Sequence, residues 1–222
     1  MTAEPGLILY DYWRSTAAYR VRIALHLKGL PFEQRPVHLV RDGGEQHSAA
    51  YREVNPQRLV PALVDGDLVL SQSLAICEYL DERYPGHTLV SGDAAQKAAI
   101  RALSQVIACD VHPLNNLRVQ QYLRRELSVS DGQAVDWMHH WMALGFEAIE
   151  RILESHGPAG ACCFGDQPTL ADVVLIPQLY NADRFDCDLR PYRRINQVAD
   201  HCRGLSAFRA AAPENQPDAP GS

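Results

Sequence analysis

The chain has 222 residues, of which 46% are hydrophobic and 22% charged, as in a globular protein with room for one large domain or two small ones. Its formal net charge of -6 argues against non-specific binding to nucleic acid or to an anionic membrane surface. The six cysteines form no C-x-x-C pair, which favours free thiols in a reducing compartment over a disulfide framework or a metal site. The first residues lack the basic and apolar regions of a signal peptide, and no apolar run approaches the ~20 residues of a membrane span. A cytoplasmic location is therefore expected.

Residues 1–86 alternate between strand and helix patterns. A strand, a helix and a second strand with short connections favour a parallel strand pair and a right-handed crossover. Asp65-Gly66-Asp67, between two apolar runs, predicts a hairpin, and Pro85-Gly86 ends the helix that follows it. The predicted elements are a strand over 7–12, a helix over 15–28, a strand over 32–39, a weak helix over 46–54, a hairpin over 60–70 and a helix capped at 71–73 that runs to 84.

After Asp93 the patterns are helical. A long periodic segment over 94–125 contains Pro113, which is expected to kink it by removing a backbone hydrogen bond. Thr169 and Asp172 have the spacing of a capping box and predict a helix start. Further helices are predicted over 133–156, 170–183, 192–202 and 204–212, with His139 and His140 on a solvated face of the first. The predicted domains are an α/β domain over 1–86, a linker over 87–93, an all-helical domain over 94–213 and a disordered tail over 214–222.

Two adjacent hydroxyls, Ser15 and Thr16, stand where the first helix is predicted to begin. A lone Ser-Thr pair at such a position is typical of an N-cap. The positive end of the helix also suits an anion, and the hydroxyls are well placed to serve one.

Several further motifs occur in a fixed order along the chain. They are Arg14–Leu25, Asn55–Pro61, Gln72–Ile76, His112–Arg118, Gly165–Asp172 and Arg184-Phe185. Together they resemble the glutathione transferases, and most closely their zeta class, the maleylacetoacetate and maleylpyruvate isomerases. The resemblance extends over residues 7–213. It implies a thioredoxin-like domain followed by an all-helical domain, with glutathione as the cofactor and a homodimer as the assembly.

The resemblance also implies a glutathione site. A hydroxyl of Ser15 or Thr16, by family position that of Ser15, stabilises the cofactor thiolate at the helix N-terminus. Val60, which precedes a proline expected to be cis, pairs its backbone with the cysteinyl part of the peptide. The class usually has a cysteine where this chain has Ala17, so the nucleophile is expected to be the cofactor's sulfur. The other implied contacts are Gln72 and Ser73 at the γ-glutamyl carboxylate, Gln46 at the glycyl end, and Asn116 and Arg118 at the mouth of the site.

The implied substrate is a dicarboxylate with a cis double bond beside a ketone. Such a site needs cations for two carboxylates and donors for a developing enolate oxygen. The candidates are Arg14, Arg118 and Arg184, with His112 and Asn116. The implied activity is the glutathione-dependent cis–trans isomerisation of maleylacetoacetate in tyrosine and phenylalanine breakdown. Three alternatives stay open: isomerisation of maleylpyruvate, a general transferase or peroxidase activity, and an interaction module without catalysis.

Overall fold

The computed structural model describes residues 6–155 and 160–221. The chain divides into two compact units, one formed by residues 1–89 with 204–222 and the other by residues 90–203. None of the helices within the described ranges is long and apolar enough to cross a membrane.

The first unit is built on a mixed four-stranded sheet with the strand order β2-β1-β3-β4. Strand β1 pairs in parallel with β2 and antiparallel with β3, and β3 forms a hairpin with β4. This arrangement confirms the predicted parallel pair, the hairpin and the thioredoxin-like fold. The elements are β1 (Leu7–Asp11), α1 (Thr16–Leu27), β2 (Glu33–Pro36), α2 (Ala49–Val54), β3 (Ala62–Asp65), β4 (Leu68–Ser71) and α3 (Ser73–Arg83).

Strand β2 is shorter than the predicted 32–39 because it ends at Pro36. A proline has no N–H to continue a ladder, and β2 lies at the edge of the sheet, where a proline is tolerated. The weak helix predicted over 46–54 is a 3-10 turn at Glu45–His47 followed by α2.

Helix α1 is buried around nearly its whole circumference. Ala18, Val21, Ile23 and Leu25 are fully buried, and the helix packs against α3 on one side. It also packs against a short helix from the C-terminal part of the chain, α9 (Ser206–Ala211). The buried residues of α1 therefore include polar ones that an amphipathic surface helix would expose to solvent.

The predicted disordered tail differs from the structure. A 3-10 turn over Pro213–Asn215 follows α9, and Gln216 is only 2% exposed. The described part of the tail, to Gly221, belongs to the first unit together with α9, so the predicted helical domain over 94–213 also ends too late. The side chains of Gln216 and Asp218 accept hydrogen bonds from Gln34 Nε2 and Trp13 N, which are far away in the sequence, a contribution that local composition does not reveal.

The second unit is helical. The segment predicted as one kinked helix over 94–125 is instead α4 (Ala94–Gln105), a π-helical turn over Val106–Val111, a 3-10 turn over His112–Asn115 and α5 (Leu117–Arg125). Pro113 blocks regular α-helix within the 3-10 turn, and Asn116 caps a new helix through Oδ1, which accepts a hydrogen bond from Arg118 N at 3.1 Å.

The remaining helices of this unit are α6 (Asp131–Ser155), α7 (Leu170–Arg184) and α8 (Arg193–Gly204). The helix predicted over 133–156 reaches a residue, His156, that lies outside the described residues. The core of this unit contains residues from α4, α6, α7 and α8, among them Ile100, Met138, Phe146, Ile149, Val174, Ile195 and Val198.

Candidate active site

The turn between β1 and α1 presents Ser15 at the helix N-terminus. Ser15 is the N-cap of α1, and its Oγ accepts a hydrogen bond from Ala18 N at 3.2 Å. The first amides of the helix precede any intrahelical acceptor and point toward the same end. Ser15 and Ala17 are half-buried, whereas Thr16 is only 6% exposed. Of the two predicted hydroxyls, that of Ser15 is therefore the more accessible to a ligand.

A second loop brings Val60 toward this turn. The Val60–Pro61 peptide bond is cis, which confirms the prediction. The preceding carbonyl, that of Leu59, accepts hydrogen bonds from Tyr51 Oη at 2.6 Å and from Asn55 Nδ2 at 2.8 Å. Burial raises the pKa of Tyr51, so its hydroxyl stays a protonated donor. The side chain of Val60 belongs to the same buried cluster as Tyr12, Val37 and Tyr51, and Trp13 packs against that cluster.

The N-terminus of α3 carries Gln72 and Ser73. Gln72 has φ +71°, a left-handed conformation that is costly outside glycine and clusters at functional sites. Its Nε2 donates to Gln57 Oε1 at 2.9 Å. Ser73 is buried, and its Oγ accepts a hydrogen bond from Arg20 Nη1 at 3.1 Å. Because a guanidinium only donates, the Ser73 hydroxyl keeps its own proton for another acceptor.

Arg20 is a site residue that the sequence reasoning missed. It lies on α1, is 1% exposed and places a permanent positive charge directly behind the Ser73 hydroxyl. An anion at the N-terminus of α3 would gain from this charge. The available signal was the pair Arg20 and Arg22, two arginines within an otherwise apolar helix segment.

Gln46 folds back over the loop that precedes it. The side chain is buried, and Nε2 donates to Leu39 O at 3.3 Å and lies 3.2 Å from His47 Nε2. Its Oε1 accepts no hydrogen bond from any residue that the structure describes. A buried acceptor without a partner is costly, so this oxygen is suited to a donor on a bound molecule. Gly44 leaves room for this arrangement, because a Cβ there would lie 2.5 Å from Gln46 Nε2.

In the second unit, the other predicted residues lie in two places, the segment from the 3-10 turn to the start of α5 and the end of α7. His112 begins the 3-10 turn, and Asn116 and Arg118 begin α5, with Arg118 exposed. Arg184 is the last residue of α7, and its guanidinium lies over the ring of Phe185 at 5.0 Å. The guanidinium is exposed and stacked, an arrangement suited to binding a carboxylate.

Side chains of helix α6 contact the main chain at both of these places. Trp137 Nε1 donates to Leu114 O at 2.9 Å, and His139 Nε2 lies 2.5 Å from Phe185 O. The prediction that His139 lies on a solvated face is therefore wrong, since the ring is half-buried against the end of α7. The α6 pattern identified its buried face, but these two partners are 23 and 46 residues away along the chain, and nothing in the local sequence indicated them.

The buried thiols Cys77, Cys163 and Cys202 are poorly suited to act as nucleophiles. Burial raises the pKa of Cys77 to about 12 and that of Cys163 well above its ordinary value. A hydrogen bond with Cys162, together with burial, raises the pKa of Cys202. These buried thiols stay protonated at neutral pH and have no access to solvent.

A cluster of possible metal ligands, Cys162, Asp172 and Cys202, is buried in the second unit. Its carboxylate is already engaged: Asp172 accepts hydrogen bonds from Cys163 N at 2.7 Å, Thr169 N at 2.7 Å and Thr169 Oγ1 at 2.9 Å. This arrangement confirms the predicted capping box at the start of α7. The carboxylate serves the helix cap.

Known proteins are similar to the chain both in its N-terminal part and over nearly its whole length. Residues 9–88 match the family model of the glutathione S-transferase N-terminal domain. The chain is 52% identical over 214 residues to the probable maleylacetoacetate isomerase of Vibrio cholerae, covering 96% of this chain and 99% of that protein.

Two solved structures are similar over the same extent. A holo structure of a maleylpyruvate isomerase, a bacterial glutathione S-transferase of the zeta class, has a TM-score of 0.93 and 45% identity, covering 96% of this chain and 99% of the other. The maleylacetoacetate isomerase of Methylobacterium extorquens AM1 with bound malonate and glutathione has a TM-score of 0.92 and 36% identity, with the same coverage. The chain therefore belongs to the zeta-class glutathione transferase family, which includes the maleylacetoacetate and maleylpyruvate isomerases.

Proposed function

We propose that the chain catalyses the glutathione-dependent cis–trans isomerisation of maleylacetoacetate to fumarylacetoacetate. The observation that carries the proposal is the accessible Ser15 hydroxyl at the N-terminus of α1 in a chain that resembles such isomerases over 96% of its length. When bound, glutathione supplies a thiolate that adds reversibly to the double bond, so that the bond can rotate before elimination.

The residues of the first unit fit glutathione. We assign to Ser15 the hydrogen bond to the cofactor sulfur, which the helix N-terminus reinforces, with Thr16 and Ala17 supplying the adjacent main chain. The main chain of Val60 is suited to strand-like pairing with a peptide. Ser73 and Gln72 would receive the γ-glutamyl carboxylate, with the charge of Arg20 behind it. The unpaired Oε1 of Gln46 would accept from a peptide N–H of the cofactor.

The substrate carboxylates would be bound by Arg184 and Arg14. The guanidinium of Arg14 lies over the Trp13 ring at 5.2 Å, as that of Arg184 does over Phe185 at 5.0 Å. Stacking on a ring restricts the position of each guanidinium, and the planar guanidinium group matches a carboxylate through two N–H donors at once. We further assign His112 to the developing enolate oxygen, and Asn116 and Arg118 to the mouth of the glutathione site.

The proposal is tested by the rate of isomerisation of maleylacetoacetate with and without glutathione. The rate is expected to depend on glutathione, and equal rates in its absence would contradict the mechanism. The similarity to a maleylpyruvate isomerase supports a second candidate substrate. Measuring kcat/KM for maleylpyruvate and for maleylacetoacetate under the same conditions decides between the two, since the preferred substrate has the higher value.

We also propose that the chain is a homodimer in the cytoplasm. Strand β4 lies at the edge of the sheet, and its residues Leu68 and Val69 are 42% and 47% exposed, which leaves an apolar edge for a partner to cover. Light scattering is expected to give about twice the chain mass of 24.7 kDa. The chain mass itself would contradict a dimer. The free cysteines support a location in a reducing compartment. Cell fractionation tests this location.

A further inference from the structure

The main chain of Trp13 is held on both sides by charged side chains. Trp13 N donates to Asp218 Oδ2 at 3.0 Å, and Trp13 O accepts from Arg22 Nη2 at 2.9 Å. The turn is closed by a hydrogen bond from Ser15 N to Tyr12 O at 2.8 Å. Two residues after Trp13, the chain presents the Ser15 hydroxyl. The direction of this turn therefore depends on two side chains outside it, one of which is 205 residues away in the sequence.

Arg22 is itself fixed in place. It is fully buried, and Nη1 forms an ion pair with Asp11 Oδ2 at 2.7 Å. Its Nε donates to Ala211 O at 2.9 Å, at the end of α9. One guanidinium thus ties together the end of β1, the turn at Trp13 and the C-terminal segment.

Asp218 is presented by an ordered stretch of chain. Gln216, two residues before it, donates from Nε2 to Ala212 O at 2.7 Å and to Ala210 O at 3.0 Å. The Oε1 of Gln216 accepts a hydrogen bond from Gln34 Nε2 at 2.9 Å. Gln34 Nε2 also donates to Asp11 Oδ2 at 3.0 Å. The segment that carries Asp218 is therefore attached both to α9 and to the buried Asp11–Arg22 pair.

We propose that Asp218 is a positioning residue for the isomerisation and that the C-terminal segment is part of the catalytic apparatus. By holding Trp13 N, Asp218 keeps the Ser15 hydroxyl in register with the cofactor sulfur, and it keeps the Trp13 ring on which Arg14 stacks in place. Small displacements of a catalytic group have large effects on rate, because the bound geometry must match the reacting one closely. The inference rests on the proposed role of Ser15.

The test compares Asp218→Ala with Asp218→Asn and with Glu214→Ala. The asparagine keeps an acceptor oxygen for Trp13 N, and Glu214 is an exposed carboxylate of the same segment. Asp218→Ala is expected to lower the turnover number about tenfold and to raise the pKa of the bound glutathione thiol, followed by thiolate absorbance. It is also expected to speed hydrogen exchange at the Trp13 amide. The other two variants are expected to stay close to the wild type.

The possible outcomes separate this inference from the proposed function. Unchanged hydrogen exchange at Trp13, or an unchanged thiol pKa and turnover number in a variant that only unfolds at a lower temperature, would overturn the positioning role. A wild-type chain that binds no glutathione would overturn the proposed function, whatever Asp218→Ala does to the exchange at Trp13. Equal losses in Asp218→Ala and Glu214→Ala would also overturn the inference, since only one of the two contacts the turn.

Discussion

At the scale of single residues, Ser15 has two tasks, since it caps α1 and is the proposed donor to the cofactor sulfur. The structure offers a serine with only the first task. Ser48 caps α2 with the same geometry, its Oγ accepting from Tyr51 N at 3.2 Å, the distance also found from Ser15 Oγ to Ala18 N.

Ser15→Ala is expected to lower the turnover number far more than the affinity for glutathione, because the thiolate loses its hydrogen bond. Each unit of thiol pKa corresponds to ~1.4 kcal/mol. Both Ser15→Ala and Ser48→Ala are expected to lower the free energy of unfolding by about 1 kcal/mol through the lost cap. Steady-state kinetics and urea unfolding measure the two effects. Normal turnover in Ser15→Ala would remove Ser15 from the mechanism.

Arg184 is proposed to bind a substrate carboxylate and not the cofactor. Arg184→Ala is therefore expected to raise the KM for the dicarboxylate by about tenfold or more, since a hydrogen bond to a charged group contributes ~1.5–3 kcal/mol. Retention on glutathione-agarose is expected to stay normal. Arg190, an exposed arginine paired with Asp188 at 2.8 Å, provides the control variant Arg190→Ala. Loss of retention in Arg184→Ala would place Arg184 in the cofactor site or in the fold.

At the scale of elements, α6 is packed tightly at one glycine and loosely at another. A Cβ at Gly145 would lie 2.2 Å from Cγ2 of the buried Val111, whereas a Cβ at Gly132 meets nothing within 4 Å. Both glycines lie within α6, so each alanine would gain helix propensity of up to about 1 kcal/mol.

Gly145→Ala is expected to lower the free energy of unfolding by about 1–3 kcal/mol, because the π-helical turn that carries Val111 must shift. Gly132→Ala is expected to be neutral or slightly stabilising. Urea unfolding of both variants measures the difference. Equal changes in the free energy of unfolding would mean that the turn at 106–111 accommodates the added methyl group without destabilising the protein.

The start of α7 depends on a single buried carboxylate. Asp172→Ala removes the acceptor of three hydrogen bonds and leaves buried donors unpaired, so a loss of about 3–5 kcal/mol is expected. Asp93 caps α4 at an exposed position, where its Oδ1 accepts from Gln96 N at 2.9 Å. Asp93→Ala is expected to cost about 1 kcal/mol. Denaturant unfolding compares the two, and equal losses would contradict a special role for the buried cap.

At the scale of the whole molecule, buried thiols are expected to make the free energy of unfolding fall as the pH rises into the alkaline range. Cys77 is fully buried, and its pKa is raised from an ordinary value of 9.0 to about 12. The folded state therefore holds this proton more tightly than the unfolded state. The corresponding stability is present below pH 9 and is lost as the pH rises from there towards pH 12, with a slope of up to about 1.4 kcal/mol per pH unit.

Cys77→Ala is accordingly expected to flatten the alkaline loss of stability, although the small cavity lowers stability at neutral pH. Cys109→Ala, at an exposed thiol, is expected to keep the slope of the wild type. Urea unfolding under reducing conditions at pH 8 and at pH 11 measures the slopes. Identical slopes in all three proteins would show that Cys77 does not titrate in this range.

Local patterns in the sequence were enough for much of the fold and for part of the site. Periodicity, turn residues and caps predicted the order of strands and helices, and the capping box placed the start of α7, because these features depend on neighbours a few residues apart. The resemblance to a family supplied the cis peptide bond at Pro61 and the candidate residues from Ser15 to Arg184.

Only the tertiary structure decided which of these groups are buried, paired or held in place. It placed the charge of Arg20 behind Ser73, attached the end of α7 to His139 and folded the C-terminal segment against Trp13. The physical reason is sequence distance. Asp218 and Trp13 are 205 residues apart, so no local pattern in the sequence indicates their hydrogen bond.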